Sequence, residues 1–450
     1  MSRTLTPLCD FVRAYAESDA HRLHMPGHKG VSVLGCEAFD ITEIDGADVL
    51  YHPHGILAQS QNIARDLFGA KKTLYSAEGS SLSIRAMLYL AQLDAKQNGR
   101  SQTVLAARNA HKVFLSAAAL LDFPVVWMYG EENSGLLSCR ITPAALEDVL
   151  SSNDTPPAAV YITSPDYLGH TADITALARV CHAHGTLLLV DNAHGAYLHF
   201  LENPIHPLAL GADLCCDSAH KTLPVLTGGG YLHLSHRVSD MLCDQAEAAM
   251  ALFASTSPSY LILQSLDAVN GYLADHYDQK LADFIGQVEA LKRKLIRAGF
   301  CLCGQEPLKL TLQTKASGYT GDQLARLLER KGLVCEFCDQ DFLVLMVTPE
   351  TGTAGLARLE AALLALPQEA PIQTTAPVFA QCRQVLTPRQ AVFSPCEEVP
   401  VAQSVGRILA SPSVGCPPAV PIVLCGERID AVAAEAFAYY GIDRCTVVVE

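Results

Sequence analysis

Asp217-Ser218-Ala219-His220-Lys221-Thr222-Leu223-Pro224, with Asp191-Asn192-Ala193-His194-Gly195 upstream of it, is the stretch whose reading decides the fold. Asp191 closes an apolar run, Thr186-Leu187-Leu188-Leu189-Val190, which reads as a buried strand. Lys221 follows a second short apolar stretch, Ala212 to Cys216. A lysine and a strand-end acid are the pairing that pyridoxal phosphate (PLP) requires. The lysine forms its Schiff base, and the acid keeps the pyridine nitrogen protonated so that the ring accepts carbanion electrons. The donors Ser218 and His220 flank Lys221, a setting unlike that of a solvated surface charge. The plainer alternative makes Asp191 a simple helix cap.

Working outward, the chain has 450 residues, enough for two or three domains. Half of them are hydrophobic and 18% are charged, so large cores can be buried. Lys plus Arg number 32 against 47 Asp plus Glu, a formal charge of −15. That argues against nucleic acid, which needs a basic face, and is compatible with a cationic small substrate. No secretory signal is visible at the N-terminus, and no apolar run approaches the ~18 residues that would span a bilayer. Of 16 cysteines, most lie in apolar segments as small hydrophobes, which suits a reducing cytoplasm. Cys335-Glu336-Phe337-Cys338 is read as part of a strand, where residues three apart face opposite sides, so no metal is expected.

Apolar strands at Thr103–Ala107, Val125–Tyr129, Ala158–Thr163, Leu187–Val190 and Leu214–Cys216 mostly alternate with helical stretches. This predicts a mostly parallel sheet with helices on both faces, its chemistry at strand ends. Residues 1–45 read as an arm, 46–270 as a large cofactor-binding domain, 271–366 as a small α/β domain and 378–450 as a C-terminal α+β domain. A Pro-, Gln- and Thr-rich linker, Pro367 to Pro377, precedes the last. Gly271 to about Gly299 reads as one long helical stretch.

Gly79-Ser80-Ser81 precedes the apolar helix Leu82 to Leu93, where N–H groups and the helix dipole suit a phosphate. Ser as an N-cap is the competing reading. His194 is placed to reach the cofactor's ring oxygen. His111 opens a helix and either stacks on the cofactor ring or caps that helix.

Taken together, the chain resembles the ornithine/lysine/arginine decarboxylase family, in its shorter bacterial form without an N-terminal wing domain. The resemblance runs through His24-Met25-Pro26-Gly27-His28-Lys29, Gly79-Ser80-Ser81, Arg108-Asn109-Ala110-His111-Lys112 and Ser164-Pro165-Asp166-Tyr167-Leu168-Gly169. It continues through the Asp191 and Lys221 segments, Thr256-Ser257-Pro258-Ser259-Tyr260 and Gly406-Arg407-Ile408. It implies an aspartate-aminotransferase-like PLP fold of type I, with a seven-stranded type of sheet. The implied activity is PLP-dependent decarboxylation of lysine, arginine or ornithine to the amine and carbon dioxide, within polyamine biosynthesis.

By position, the resemblance makes Lys221 the Schiff-base lysine, Asp191 the partner of the ring nitrogen and His111 the stacking residue. Gly79, Ser80, Ser81, Ser218 and His220 would serve the phosphate, and Lys221 or His220 would return a proton to the substrate's α-carbon. Ser257 would reach the phosphate of a neighbouring subunit, making a homodimer or higher homo-oligomer with shared sites. Glu427 or Asp166 would meet the substrate's distal cation, although either reads equally as a solvated loop charge.

The chain departs from the family pattern at several positions. Glu78 stands for Asn and brings negative charge towards the phosphate. Ser83 and Ile84 replace Gly-Asn, Asn192 a Glu, Asp217 a Gln, and Ala219 a Thr. Cys416 stands for a Tyr and Cys425 for a Pro. The alternatives are an aminotransferase or other lyase on the same fold, or a non-catalytic PLP-binding paralogue. A transaminase would clamp the α-carboxylate with an arginine. Its obvious candidate, Arg358, reads as lying on an exposed helix face.

Overall fold

The computed structural model describes residues 4–130, 136–367, 369–377, 381–412 and 419–449. Seven strands form the main sheet: β1 (Lys72–Ser76), β2 (Val104–Ala107), β3 (Val125–Met128), β4 (Ala159–Thr163), β5 (Leu187–Asp191), β6 (Leu214–Asp217) and β7 (Gly230–Leu234). Their order is β1-β7-β6-β5-β4-β2-β3. β2 with β3 and β5 with β6 run parallel, while β7 runs antiparallel to both β1 and β6. The alternation in the sequence thus gives the expected mostly parallel sheet. β1 and β7, which the apolar pattern did not reveal, complete it. The continuous apolar runs have the predicted consequence: Leu188, Leu189, Val190, Leu214, Cys215 and Cys216 are all 0% exposed.

The chain divides into two compact units. One comprises Met1–Ser101, Asn153–Val160 and Ile174–Leu281; the other comprises Gln102–Ser152, Tyr161–Asp173 and Ala282–Glu450. The first holds helix α1 (Pro7–Ala16), α2 (Ile56–Leu67) and α3 (Gly79–Gln97). α1 is fastened from the N-terminal arm by the Cys9 N–H, which donates to Asp267 Oδ2 at 2.8 Å. The second unit holds α4 (Lys112–Leu121) and an antiparallel sheet of β8 (Leu302–Cys303), β9 (Lys309–Gln313), β10 (Phe337–Cys338) and β11 (Phe342–Met346). It also holds a two-stranded ribbon of β12 (Cys396–Pro400) and β13 (Arg444–Val448), with the helix Ala431–Tyr439.

Two local expectations are corrected. Gly271 to Gly299 is not one helix: Tyr260–Ala274 ends at Asp275, and Tyr277–Arg297 begins after His276 at φ +52°. No Gly or Pro marks that break, so the sequence hides it. The Cys335 and Cys338 side chains do not face opposite sides, because β10 begins only at Phe337 and Cys335 lies off the ladder. The two thiols hydrogen-bond each other, and burial pushes that of Cys338 up to about 12.

Candidate active site

β5 and β6 pair in parallel with Asp191 opposite Cys216, so the chain leaves both strands at the same end. Asp191 is 2% exposed; its Oδ1 accepts the Ala193 N–H at 3.2 Å and faces the Cys216 thiol. The plainer reading of Asp191 as a helix cap falls, since Ala196–Phe200, which follows, is a 3-10 turn capped from Gly195. Beyond β6 the chain makes one helical turn, Ala219–Thr222, which carries His220 and Lys221. Lys221 Nζ lies 3.1 Å from His194 Nε2. The structure therefore brings Lys221 and His194 into contact at the end of the strand that carries Asp191.

The phosphate candidates also converge. Gly79, Ser80 and Ser81 occupy the first turn of α3 rather than preceding it, and the cap position falls on Glu78, which makes no side-chain cap. Ser therefore is not the N-cap. The first-turn N–H groups of α3 lack intrahelical acceptors and carry the positive end of the dipole. Gly79, at φ +67°, donates its N–H to Gly228 O at 2.6 Å. Ser218 Oγ donates to Ser80 Oγ at 2.9 Å, linking β6 to this helix end. His220 Nδ1 donates to Gly229 O at 2.9 Å, which turns the ring towards Gly79.

A Cβ added at Gly230 would lie 3.1 Å from the Gly79 carbonyl carbon and 3.3 Å from Ser80 N. Close backbone approach, two hydroxyls and a helix N-terminus make a cradle that fits the phosphate of PLP. Glu78 is exposed, and its carboxylate accepts the Ser255 N–H at 2.7 Å. That bond brings the loop bearing Ser257 beside the α3 N-terminus of its own chain.

Beneath the site lies a cluster that the sequence did not single out. Asp217 is fully buried; Oδ1 accepts from Asn192 Nδ2 at 2.6 Å, and Oδ2 from His206 Nε2 at 3.0 Å and His233 Nε2 at 3.2 Å. Burial works to raise its pKa, yet the neighbouring His206 and the bonds from both imidazoles hold it well below the usual carboxylate range. His206, Asp217 and His233 are close enough together to suggest a metal. The proton of His206 argues otherwise. The Leu208 N–H donates to His206 Nδ1 at 3.4 Å, which leaves the proton on Nε2, pointing at the carboxylate. The departures at Asn192 and Asp217 are thus one contact. Ala219 is simply buried, and Ile84 packs at 1% exposure, whereas the buried Ser83 hydroxyl has no partner among the described residues.

The second unit carries the remaining candidates. His111 is the N-cap of α4, its Nδ1 accepting the Val113 N–H at 3.2 Å, so the capping alternative is realised. Glu427 and Asp166 are 2% and 3% exposed, which excludes the solvated reading for both. Asp166 spends both oxygens on its own loop: Leu168 N, His170 N and His170 Nδ1. Glu427 Oε2 accepts the Leu424 N–H at 2.8 Å; burial raises its pKa and the Arg108 charge opposes that. Arg108 itself donates to the carbonyls of Pro421 and Ile422. Cys425 is buried and holds Gln384 through its carbonyl. Cys416 lies outside the described residues. Arg358 is exposed and bound to the Lys331 carbonyl.

Comparison with known proteins matches residues 6–303 to the Orn/Lys/Arg decarboxylase major domain and 373–443 to the C-terminal domain of the same name. The Bacillus subtilis protein YaaO is 31% identical, across 94% of this chain and 92% of its own. An arginine decarboxylase of Halalkalibacterium halodurans is 30% identical, across 94% and 91%. In three dimensions, lysine decarboxylase A from Pseudomonas aeruginosa superposes with a TM-score of 0.78 at 18% identity, covering 96% of this chain and 75% of that one. At that identity the likeness speaks for the fold.

Proposed function

This chain belongs to the Orn/Lys/Arg decarboxylase family, and from that premise we propose how its residues divide the work. It is a PLP-dependent enzyme that removes the α-carboxylate of a basic amino acid (lysine, arginine or ornithine) as carbon dioxide. When bound, PLP supplies the electron sink that accepts the pair left on the α-carbon. Lys221 provides the amine that holds the cofactor. Asp191, buried at the strand end, keeps the ring nitrogen protonated, and His194 sits against Lys221 Nζ, where it orients that amine and exchanges its proton. Gly79, Ser80, Ser81 and Ser218 receive the phosphate, with His220 turned to the same cradle. Lys221 is the residue placed to return a proton to the α-carbon, since the His220 ring is tied to Gly229.

The Lys221–His194 contact, on strand ends shared with Asp191, is the observation that carries this reading. His111 serves the cofactor ring in addition to capping its helix. Glu427 takes the substrate's distal cation in preference to Asp166, whose oxygens fasten the loop at His170. Arg358 is occupied at the surface, which favours decarboxylation over transamination. The arm 1–45, the cofactor domain 46–270, the small domain 271–366 and the C-terminal domain 378–450 form the working parts. Among the described residues no helix is long and apolar enough to cross a membrane. The enzyme acts in the cytoplasm, in polyamine biosynthesis. It works as a homodimer or higher oligomer, Ser257 serving a neighbouring subunit; in support, Leu23 (94% exposed) and Leu34 (86%) project from the arm.

The test is to incubate purified protein and PLP with lysine, arginine and ornithine, assaying carbon dioxide and the amine. One of the three should be turned over, and Lys221→Ala should lose both turnover and the visible absorbance band. Bound PLP with no turnover of any amino acid would overturn the assignment.

A further inference from the structure

Asp217 has no part in the chemistry proposed above, yet it joins both stretches that present the reacting pair. On one side it leads directly into Ser218, whose carbonyl accepts the Lys221 N–H at 3.0 Å. On the other it takes the amide of Asn192, the first residue of the turn that carries His194. Asp217, Asn192, His206 and His233 are each 0% exposed, so no water competes for these bonds.

The Asn192 amide is held against its own interest. With Nδ2 aimed at Asp217, its Oδ1 is buried without a hydrogen-bond partner among the described residues, which costs about 1–3 kcal/mol. Turning the amide over would set oxygen against carboxylate, which is worse. The backbone has adapted to this orientation. A Cβ on Gly195 would lie 2.0 Å from Asn192 Oδ1, and the Gly195 N–H returns to Asn192 O at 2.8 Å. His194 sits between these two residues, 3.1 Å from Lys221 Nζ.

We infer that Asp217 is a positioning residue: one buried carboxylate, braced by His206 and His233, fixes the 192–195 turn through Asn192 and so sets His194 against the amine of Lys221. The inference rests on the reading of Lys221 and His194 as the reacting pair. Asp217→Ala frees the turn. Asp217→Asn preserves it, because its amide oxygen can accept from the two histidines while its NH2 donates to a turned-over Asn192.

The experiment pairs two measurements. Crystal structures of the cofactor-free wild type, Asp217→Ala and Asp217→Asn give the His194–Lys221 separation, and steady-state kinetics of the PLP-loaded forms give kcat and KM. In Asp217→Ala the separation should open by roughly 1 Å, and kcat per loaded site should fall by roughly 100-fold with KM nearly unchanged. Asp217→Asn should restore the spacing and most of kcat, which a role in stability alone would not require. An Asp217→Ala protein that keeps both the spacing and kcat overturns the inference. If Asp217→Ala does not fold, Asn192→Ala breaks the same link and leaves the histidines paired; an unmoved His194 there overturns it equally. A wild type that releases no carbon dioxide, together with a displaced His194 in the variants, would sink the decarboxylase reading and leave the positioning role standing.

Discussion

Asp217 and Asp267 are both 0% exposed and belong to the same unit, but their surroundings drive them to opposite states. At Asp217, three N–H donors overcome burial and keep the carboxylate ionised. At Asp267, which fastens α1, burial wins. Ser60 Oγ at 2.5 Å and the Cys9 N–H at 2.8 Å oppose it, yet the pKa is pushed up to about 6. Burial alone therefore does not set the charge of an acid. The kind of donor that converges on it does: imidazoles at Asp217, and hydroxyl, thiol and backbone N–H groups at Asp267. The acid held by two imidazoles lies under the Lys221–His194 contact, where a fixed charge gives fixed geometry, and the other lies in a structural joint.

The largest test of this contrast is Asp217→Ala. Removing the acceptor leaves His206, His233 and Asn192 with stranded donors, and the loss should be about 3–5 kcal/mol in urea unfolding of the cofactor-free protein. A loss below about 1 kcal/mol would mean that the donors find other partners and that the contrast is false.

Asp267→Asn should act in the other direction. The folded pKa of about 6 lies above the ordinary value of 3.8 for an aspartate, so the folded protein binds the proton more tightly. Stability from this group is full below pH 3.8 and is lost as pH rises through about 6. Asparagine should therefore stabilise the protein at pH 8 by up to about 3 kcal/mol, with the gain shrinking steadily on acidification towards pH 4. A gain that does not change with pH would show that Asp267 does not titrate in this window.

Ser60→Ala is the smallest perturbation. Losing one donor to Asp267 should cost about 1 kcal/mol at neutral pH and move the protection of α1 amides in hydrogen exchange further towards acid. Unchanged exchange of α1 would separate that helix from the state of Asp267.

The contrast also shows how much was legible in the chain. Lys221, Asp191 and the Gly79 turn could be placed at strand ends from the sequence because each sits at the edge of a dense apolar run, and strand ends are where such sheets place chemistry. His206 and His233 could not be found. Neither adjoins a site motif; the pairing of β7 with β6 brings His233 to Asp217, and His206 reaches it from the loop that precedes β6. β1 (Lys-Thr-Leu-Tyr-Ser) mixes polar and apolar residues, and β7 starts on the last of three consecutive glycines, Gly228 to Gly230. The Asp275–His276 break carries no breaker residue, so helical periodicity ran straight through it. Cys335 was misjudged because sequence gives spacing along the chain, whereas the direction of a side chain at an element's edge depends on what lies across from it.

The strand order carries a consequence for synthesis. β1 is an edge strand whose neighbour is β7, so the ribosome must add everything from residue 77 to residue 234 before that ladder can zip. Until then a hydrogen-bonding edge with the buried Leu74 stays open to the wrong partner. Such long-range closure folds slowly. A nascent chain stalled short of β7 is the form that most needs a chaperone.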